Sequence, residues 1–176
     1  MRFGIAILRA VIGGLFMGHG LQKLKGWFGG FGIEGTGGWM ESIGLYPGKH
    51  HATAAGAAET AGGALLVAGV APPVAQSLLT GTMTVAILKV HGPNGLWGQN
   101  NGYEFPLVMT TALFAITASG PGTPALDRRE WGTAWATLAL VTGIAGGLGA
   151  IKYGETNAPA DAPAHAPEHA AAEAPA

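Results

Sequence analysis

The chain has 176 residues, and only 11% of them are charged, against about 25% in an ordinary soluble domain. Its formal net charge of −1 excludes the strong electrostatic attraction to phosphate on which nucleic-acid binding depends. The sequence contains no cysteine, which excludes a dithiol couple, iron–sulfur ligation by this chain and covalent attachment of a c-type haem. The composition therefore favours an integral membrane protein.

Stretches without charged residues predict membrane-spanning helices. Residues 60–88, 105–126 and 131–151 contain no Asp, Glu, Lys or Arg, and each stretch reaches or exceeds the roughly 20 residues that a spanning helix needs. Prolines at residues 72–73 and within residues 120–124 end the helices that precede them. The sequence thus predicts an all-α, polytopic transmembrane helical bundle. We place its spans at residues 3–24, 52–70, 74–90, 103–119 and 131–151.

The two long connections fall on one side of the membrane if the first four spans alternate in direction. Residues 25–51 and 92–102 are rich in glycine and aromatic residues, whereas the connections on the opposite side are short. Residues 36–45 predict a short interfacial helix with Trp39, Met40 and Ile43 on its apolar face. We call the side with the long loops the elaborated face and the other side the plain face.

Two ionisable residues interrupt the apolar spans, Arg9 in the first and Glu59 in the second. A charge at the centre of a bilayer costs roughly 2.5–3.5 kcal/mol on insertion scales, so such residues usually face the bundle interior and mark functional sites. Glu59 has two interpretations. It is either a functional carboxylate or the structural partner of Arg9, Lys89 or a histidine.

Depth along the helices groups other polar residues with Glu59. At ~1.5 Å per residue, His19 lies about 7–8 Å and Glu59 about 10 Å below the elaborated face, whereas Arg9 lies about 10 Å deeper than Glu59. Lys23 and Lys89 could instead be interfacial anchors, and the histidines could be structural. The candidate cluster consists of His19, Lys23, Glu59, Lys89, His91 and Glu104.

Small residues predict close packing of the helices. Gly14 and Gly18 form a GxxxG pair in the first span, and Ala55, Glu59 and Gly63 share a face of the second. Such patterns let helix backbones approach closely in lipid. The face that carries Glu59 is therefore expected to contact other helices.

Metal and haem binding are weakly indicated. His19 and His91 come from different spans at similar depth, which is the minimum for a b-type haem, and two histidines alone do not establish one. His165 and His169 are four residues apart in the Ala/Pro-rich acidic segment 153–176, where the prolines disfavour a shared helical face. We predict no metal site, and we predict that residues 153–176 are disordered.

Eight short motifs punctuate the chain. They are HGLQKL at residues 19–24, FGG at 28–30, EGT at 34–36, ESIGL at 41–45, AETAGG at 58–63, VHGPNG at 90–95, GYEFP at 102–106 and GPG at 120–122. Together they resemble the DoxX family of small integral membrane proteins over residues 1–127. The resemblance implies a four-span membrane domain at residues 1–127, to which this chain adds a fifth helix at residues 128–152 and the acidic tail.

The resemblance also implies a redox role. Members are linked to a subunit of a thiosulfate:quinone oxidoreductase and to membrane partners in oxidant-detoxifying complexes. The catalytic candidates, which would handle protons, are Glu59, His19 and His91. The substrate-binding candidates are Lys23, Lys89, Asn94, Tyr103, Glu104 and Arg9. A quinone is the cofactor that this hypothesis favours, and haem is disfavoured.

Two other classes of function stay open. A small proton-coupled transporter or channel would line a path across the bilayer with Arg9 and Glu59. A noncatalytic anchor would dock a soluble partner through the loops or the tail. The expected partners are the lipid bilayer, soluble or membrane redox proteins and a second copy of the chain, with no nucleic acid. The expected location is the bacterial inner membrane with the N-terminus inside, an orientation taken from the family because the basic residues on the two sides do not decide it.

Overall fold

The structure, a computed structural model, describes residues 2–162. Every regular element in that range is helical, which confirms the all-α prediction. The α-helices are α1 (Arg2–Lys25), α2 (Gly32–Ser42), α3 (Gly48–Ala68), α4 (Pro72–Val85), α5 (Glu104–Ser119) and α6 (Gly132–Thr156). A π-helical segment, Ala86–His91, continues α4, and short 3₁₀ turns occupy Trp27–Gly29, Gly92–Asn94 and Gly98–Asn100. Helix α6 includes residues 153–156, the first four residues of the segment predicted to be disordered. Residues 163–176, which contain most of that segment and both of its histidines, lie outside the described residues.

Within residues 2–162, three helices are long and apolar enough to cross a membrane. They are Arg2–Lys25, Pro72–Asn94 and Gly132–Thr156, which correspond to the first, third and fifth predicted spans. Helix α5 is apolar but has 16 residues, and α3 has 21 residues but begins with the polar sequence GKHH and contains Glu59. Membrane helices are thus supported, while the count of four spans plus one stays a prediction.

Helices α1 and α3 pack closely because glycine lies at their contact. A methyl group placed on Gly63 would lie 2.5 Å from the carbonyl oxygen of Gly13 and 2.7 Å from the backbone nitrogen of Met17. The same test on Gly14 and Gly18, the GxxxG pair, finds no atom within 4 Å. The expectation that this pair mediates packing within the bundle is therefore wrong. The contact lies on the adjacent face of α1, and the GxxxG spacing alone does not say which face turns inward.

Gly63→Ala should therefore lower the stability of the bundle by about 1–3 kcal/mol, because the added methyl group overlaps backbone atoms that cannot move aside. Thermal unfolding of the detergent-purified protein would measure the effect. Gly14→Ala is the matched control and should leave the midpoint unchanged or slightly raised, because its methyl group meets open space. Equal midpoints for the two variants would contradict this description of the contact.

Helix α6 packs along α4 as an integral part of the bundle. A methyl group on Gly143 would lie 2.7 Å from the carbonyl oxygen of Ser77, so these backbones also approach closely. The buried amide of Gln76 donates to the carbonyl of Ala136 at 2.9 Å. Helix α6 is thus held by both packing and hydrogen bonding, and it contributes to the interior.

Helix α2 packs into the bundle instead of lying on its surface. Its bounds overlap the predicted interfacial helix, but Met40 and Ile43 are buried with Leu45, Ala52 and Ile151 in a core shared with α3 and α6. Trp39 alone of the three predicted apolar residues is substantially exposed. The apolar face predicted for lipid is therefore used mainly to cover the elaborated end of α3.

The connection between α5 and α6 is anchored at the plain face. The backbone N–H of Asp127 donates to the carbonyl of Gly69 at 2.9 Å. Its carboxylate accepts from the backbone N–H of Arg129 at 2.9 Å and from the indole of Trp131 at 3.1 Å. Donation by the Arg129 N–H, with a smaller contribution from the indole, lowers the pKa of Asp127 below its ordinary value.

Candidate functional site

A cavity of about 690 Å³ lies within the bundle, in the size range typical of small-molecule sites. All six α-helices contribute to its wall, which consists mostly of aliphatic, aromatic and small side chains. Four of the nine predicted site residues line it, namely His19, Lys23, Glu59 and His91. The wall of the cavity is therefore mostly apolar and contains only a few ionisable side chains.

Glu59 forms an ion pair with Lys23. The distance from the Lys23 Nζ to the Glu59 Oε2 is 2.7 Å, and the side chains are 21% and 6% exposed. Helix α1 ends at the elaborated face and α3 begins there, and side chains tilt toward the N-terminus of their helix. Lys23 therefore points down into the bundle while Glu59 points up toward it. The sequence predicts Arg9, Lys89 or a histidine as the structural partner of Glu59, and Lys23 as an interfacial anchor or a substrate-binding residue. The pairing of Glu59 with Lys23 therefore differs from those alternatives.

Glycines bring α1 and α3 close enough for this pair to form. A methyl group on Gly20 would overlap the side chain of Thr60 and lie 2.6 Å from the carbonyl oxygen of Gly56. Lys23 follows Gly20 by one turn, and Glu59 immediately precedes Thr60. The close contact thus fixes the helix positions from which the two charged side chains meet.

His19 is oriented by a neighbour on its own helix. Its Nδ1 lies 3.0 Å from the Oε1 of Gln22, whose Nε2 donates to the carbonyl of Phe28 at 3.2 Å. An amide oxygen only accepts, so this arrangement places the proton of a neutral His19 on Nδ1 and leaves Nε2 as an acceptor. His19 also lies near enough to Glu59 to interact with it electrostatically.

His91 ends the π-helical segment and is fixed by the loop that follows. Its Nδ1 lies 2.7 Å from the carbonyl oxygen of Asn101, so Nδ1 is the donor and Nε2 of the neutral ring has a free lone pair. The amide of Asn94 makes longer contacts with the carbonyls of Val90 and Asn101, at 3.5 and 3.4 Å. Single π-helical turns are frequent at functional sites, where they redirect side chains.

The other candidates on the elaborated face do not line the cavity. The Lys89 Nζ lies 3.5 Å from the Oε1 of Glu155 on α6. Glu104 accepts from the backbone N–H of Gly98 at 2.8 Å, and the backbone N–H of Tyr103 donates to the carbonyl of Gly95 at 3.0 Å. Glu104, Tyr103 and Asn94 thus organise the loop above the cavity, whereas Lys89 pairs with α6.

Arg9 binds backbone carbonyls at the plain end of the bundle. Its Nε donates to the carbonyl of Pro121 at 2.7 Å, and its Nη1 donates to the carbonyl of Leu66 at 2.6 Å. Further donation reaches the carbonyls of Val67 and Pro124. The guanidinium therefore satisfies the C-terminal carbonyls of α3 and ties α1 and α3 to the α5–α6 connection. Arg9 does not line the cavity.

Sequence reasoning missed two parts of the cavity wall. Helix α6 supplies Thr142, Gly146 and Ala150, and the glycine-rich sequence of the fifth span was the signal that could have indicated this. His51 also lines the cavity, with its Nε2 buried against Gly154 and without a hydrogen-bond partner among the residues that the structure describes. No sequence pattern distinguished it from the exposed His50, whose Nδ1 lies 3.1 Å from the hydroxyl of Tyr153. Within residues 2–162, no group of three or more His, Asp or Glu side chains is placed to hold a metal ion.

The chain is similar to a known protein family. A family model described as DoxX matches residues 4–92, which is 89 of the 176 residues and just over half of the chain. The matched segment contains the four ionisable residues of the cavity that the sequence predicted, and it ends before α5 and α6. Comparisons with curated proteins and with solved structures find no match.

Proposed function

The chain belongs to the DoxX family, as its motifs predicted, and from that premise we propose that it is a membrane subunit of a redox system whose cavity binds a quinone. The observation that carries the proposal is that His19, Lys23, Glu59 and His91 all line one cavity whose wall is mostly apolar. Quinones need this combination. Their rings and tails require apolar walls, and their oxygens require hydrogen-bond donors and proton carriers.

The residues divide the chemistry between them. Reduction of a quinone to a quinol takes two electrons and two protons, and the electrons would come from a redox partner protein in or at the membrane. Lys23 would stabilise the negative charge that develops on a quinone oxygen. Glu59, with His19 or His91, would deliver or remove the protons, because carboxyl and imidazole groups are suited to proton transfer.

The membrane setting of this function is part of the same proposal. The protein would lie in a bacterial inner membrane with four spans in its DoxX core, a fifth span at α6 and the N-terminus inside. The transporter alternative relied on Arg9 and Glu59 lining one path, and the carbonyl contacts of Arg9 at the plain end give that path no support. If the cavity binds no quinone, the protein is instead interpreted as a noncatalytic anchor for a soluble partner.

Glu59→Gln should reduce the quinone bound to the protein purified in mild detergent by about tenfold or more, because the amide cannot exchange a proton or pair with Lys23 as an ion. Mass spectrometry and absorbance would measure bound quinone. His91→Ala should have a similar effect. Wild-type protein that is folded, and that neither retains quinone nor binds added decylubiquinone, would overturn the proposed function.

The matched control is Glu34→Gln. Glu34 also pairs with a lysine at 2.7 Å, Lys49, but both side chains are mostly exposed and neither lines the cavity. Its replacement should leave the bound quinone unchanged. A loss equal to that of Glu59→Gln would show that the assay reports a general effect of removing an acidic residue.

A further inference from the structure

One opening of the cavity to the outer surface of the bundle lies between α3 and α6. Ala54 on α3 and both Thr142 and Gly146 on α6 line the cavity and are also exposed. Helix α6 packs along α4 rather than along α3, so the space between α3 and α6 forms a groove with α4 as its floor. We call this space the α3–α6 groove.

Small residues keep the groove open. Ala54 and Ala58 line it from α3, and Gly146 and Ala150 line it from α6. A methyl group placed on Gly146 meets no atom within 4 Å, whereas one placed on Gly147 would lie 2.8 Å from the carbonyl oxygen of Gly81. Helix α6 therefore uses Gly147, like Gly143, for contact with α4 and leaves the space beside Gly146 unfilled.

Among the residues that the structure describes, each hydroxyl group that lines the groove already has a hydrogen-bond partner. Ser77 lies 2.8 Å from the hydroxyl of Thr142 and 3.1 Å from the carbonyl of Ala139, and Thr142 can itself donate to the carbonyl of Leu138 at 2.9 Å. Thr82 donates to the carbonyl of Leu79 at 2.9 Å. An occupant of the groove consequently gains little from polar atoms there, which suits a hydrocarbon chain.

The groove is continuous with the part of the cavity that contains Glu59. Ala54 and Ala58 adjoin Ala55 and Glu59 on α3, and all four residues line the same cavity. We propose that the quinone of the proposed function lies with its ring at Glu59 and its apolar tail in the α3–α6 groove, so that it enters from the bilayer and α6 binds the tail. This inference rests on the proposed function, and it assigns to α6 a binding role outside the segment matched by the family model.

Gly146→Leu tests the inference, because its side chain would fill the groove without displacing protein atoms. The purified protein would be titrated with decylubiquinone and with the tailless ubiquinone-0, and quenching of tryptophan fluorescence would report binding. The ratio of variant to wild-type affinity is taken for each probe, so that partitioning into detergent cancels. We expect the variant to bind decylubiquinone about tenfold more weakly and ubiquinone-0 unchanged.

Gly149→Leu is the matched control, because Gly149 is also an α6 glycine whose methyl group would meet no atom, and it does not line the cavity. It should bind both quinones like the wild type. Ala58→Leu narrows the groove from the opposite wall and should repeat the selective loss if Gly146→Leu fails to fold.

The outcomes separate the two proposals. Equal effects of Gly146→Leu on both quinones, no effect on either, or an equal loss in Gly149→Leu would overturn the tail assignment while the proposed function stands. A wild-type protein that binds neither quinone would overturn the proposed function itself. Selective loss of decylubiquinone would exclude a bilayer phospholipid chain as the sole occupant of the groove.

Discussion

Lys23→Met is expected to lower the free energy of unfolding by about 3 kcal/mol, the low end of the range for a broken buried ion pair. Methionine keeps most of the length of the side chain but removes the charge at 2.7 Å from Glu59, whose side chain is 6% exposed. The loss should be near the low end because Lys23 itself is 21% exposed and water can reach part of the site. Thermal or denaturant unfolding in detergent would measure it.

The double variant Lys23→Met/Glu59→Leu should recover most of this stability, because replacing both members of a buried pair by apolar residues is often neutral or stabilising. It should bind no quinone, however, if the proposed function is correct. Lys49→Met, which breaks the exposed pair with Glu34, should change stability little. A double variant as unstable as Lys23→Met would show that the destabilisation does not come from an unpaired Glu59.

The sequence predicted well how far along each helix a residue lies, because that position follows from counting residues. Apolar runs and prolines located the helices, and depth along the helices grouped His19, Glu59 and His91, which the structure places around one cavity. Counting does not give the rotation of a helix about its axis. Lys89 and Glu104 lie at a similar depth but turn toward Glu155 and toward the backbone of the loop.

The unknown rotation of each helix about its axis also explains why the contact faces of α1 and α6 were not predicted. GxxxG spacing at Gly14 and Gly18 satisfies the sequence rule, yet Gly13 and Gly20 are the glycines of α1 that contact α3, because the rotation of α1 depends on all its neighbours together. The sequence predicted α6 only as a helix added to the four-span domain, because the family motifs end before it. Its contribution to the cavity follows from its packing on α4, a long-range contact that no local pattern encodes.

Arg9→Met is expected to have the largest effect on stability, about 4 kcal/mol or more, with little folded protein accumulating. The guanidinium of Arg9 donates to carbonyls in α3 and in the α5–α6 connection, and a buried carbonyl left without a donor costs about 1–3 kcal/mol. The carbonyl of Leu66 keeps the backbone N–H of Gly69 as a donor at 2.9 Å, so the loss comes mainly from the other carbonyls. Arg9→Lys should recover part of the loss, because one ammonium cannot span all of these carbonyls as the planar guanidinium does. Yield and thermal midpoint in detergent would measure both variants.

Arg2→Met provides the control for removal of an N-terminal arginine. Arg2 forms an exposed pair with Glu130 at 3.1 Å, so its loss should hardly affect the midpoint.

The comparison of Arg9→Met with Arg2→Met also decides between two roles of Arg9. An Arg9→Met protein with the wild-type midpoint but without ligand binding or solute uptake would support the substrate-binding or transport role predicted from the sequence. An unstable Arg9→Met beside a stable Arg2→Met would identify Arg9 as the side chain that holds the plain end together, leaving Glu59 and Lys23 as the charged pair in the spans available for chemistry.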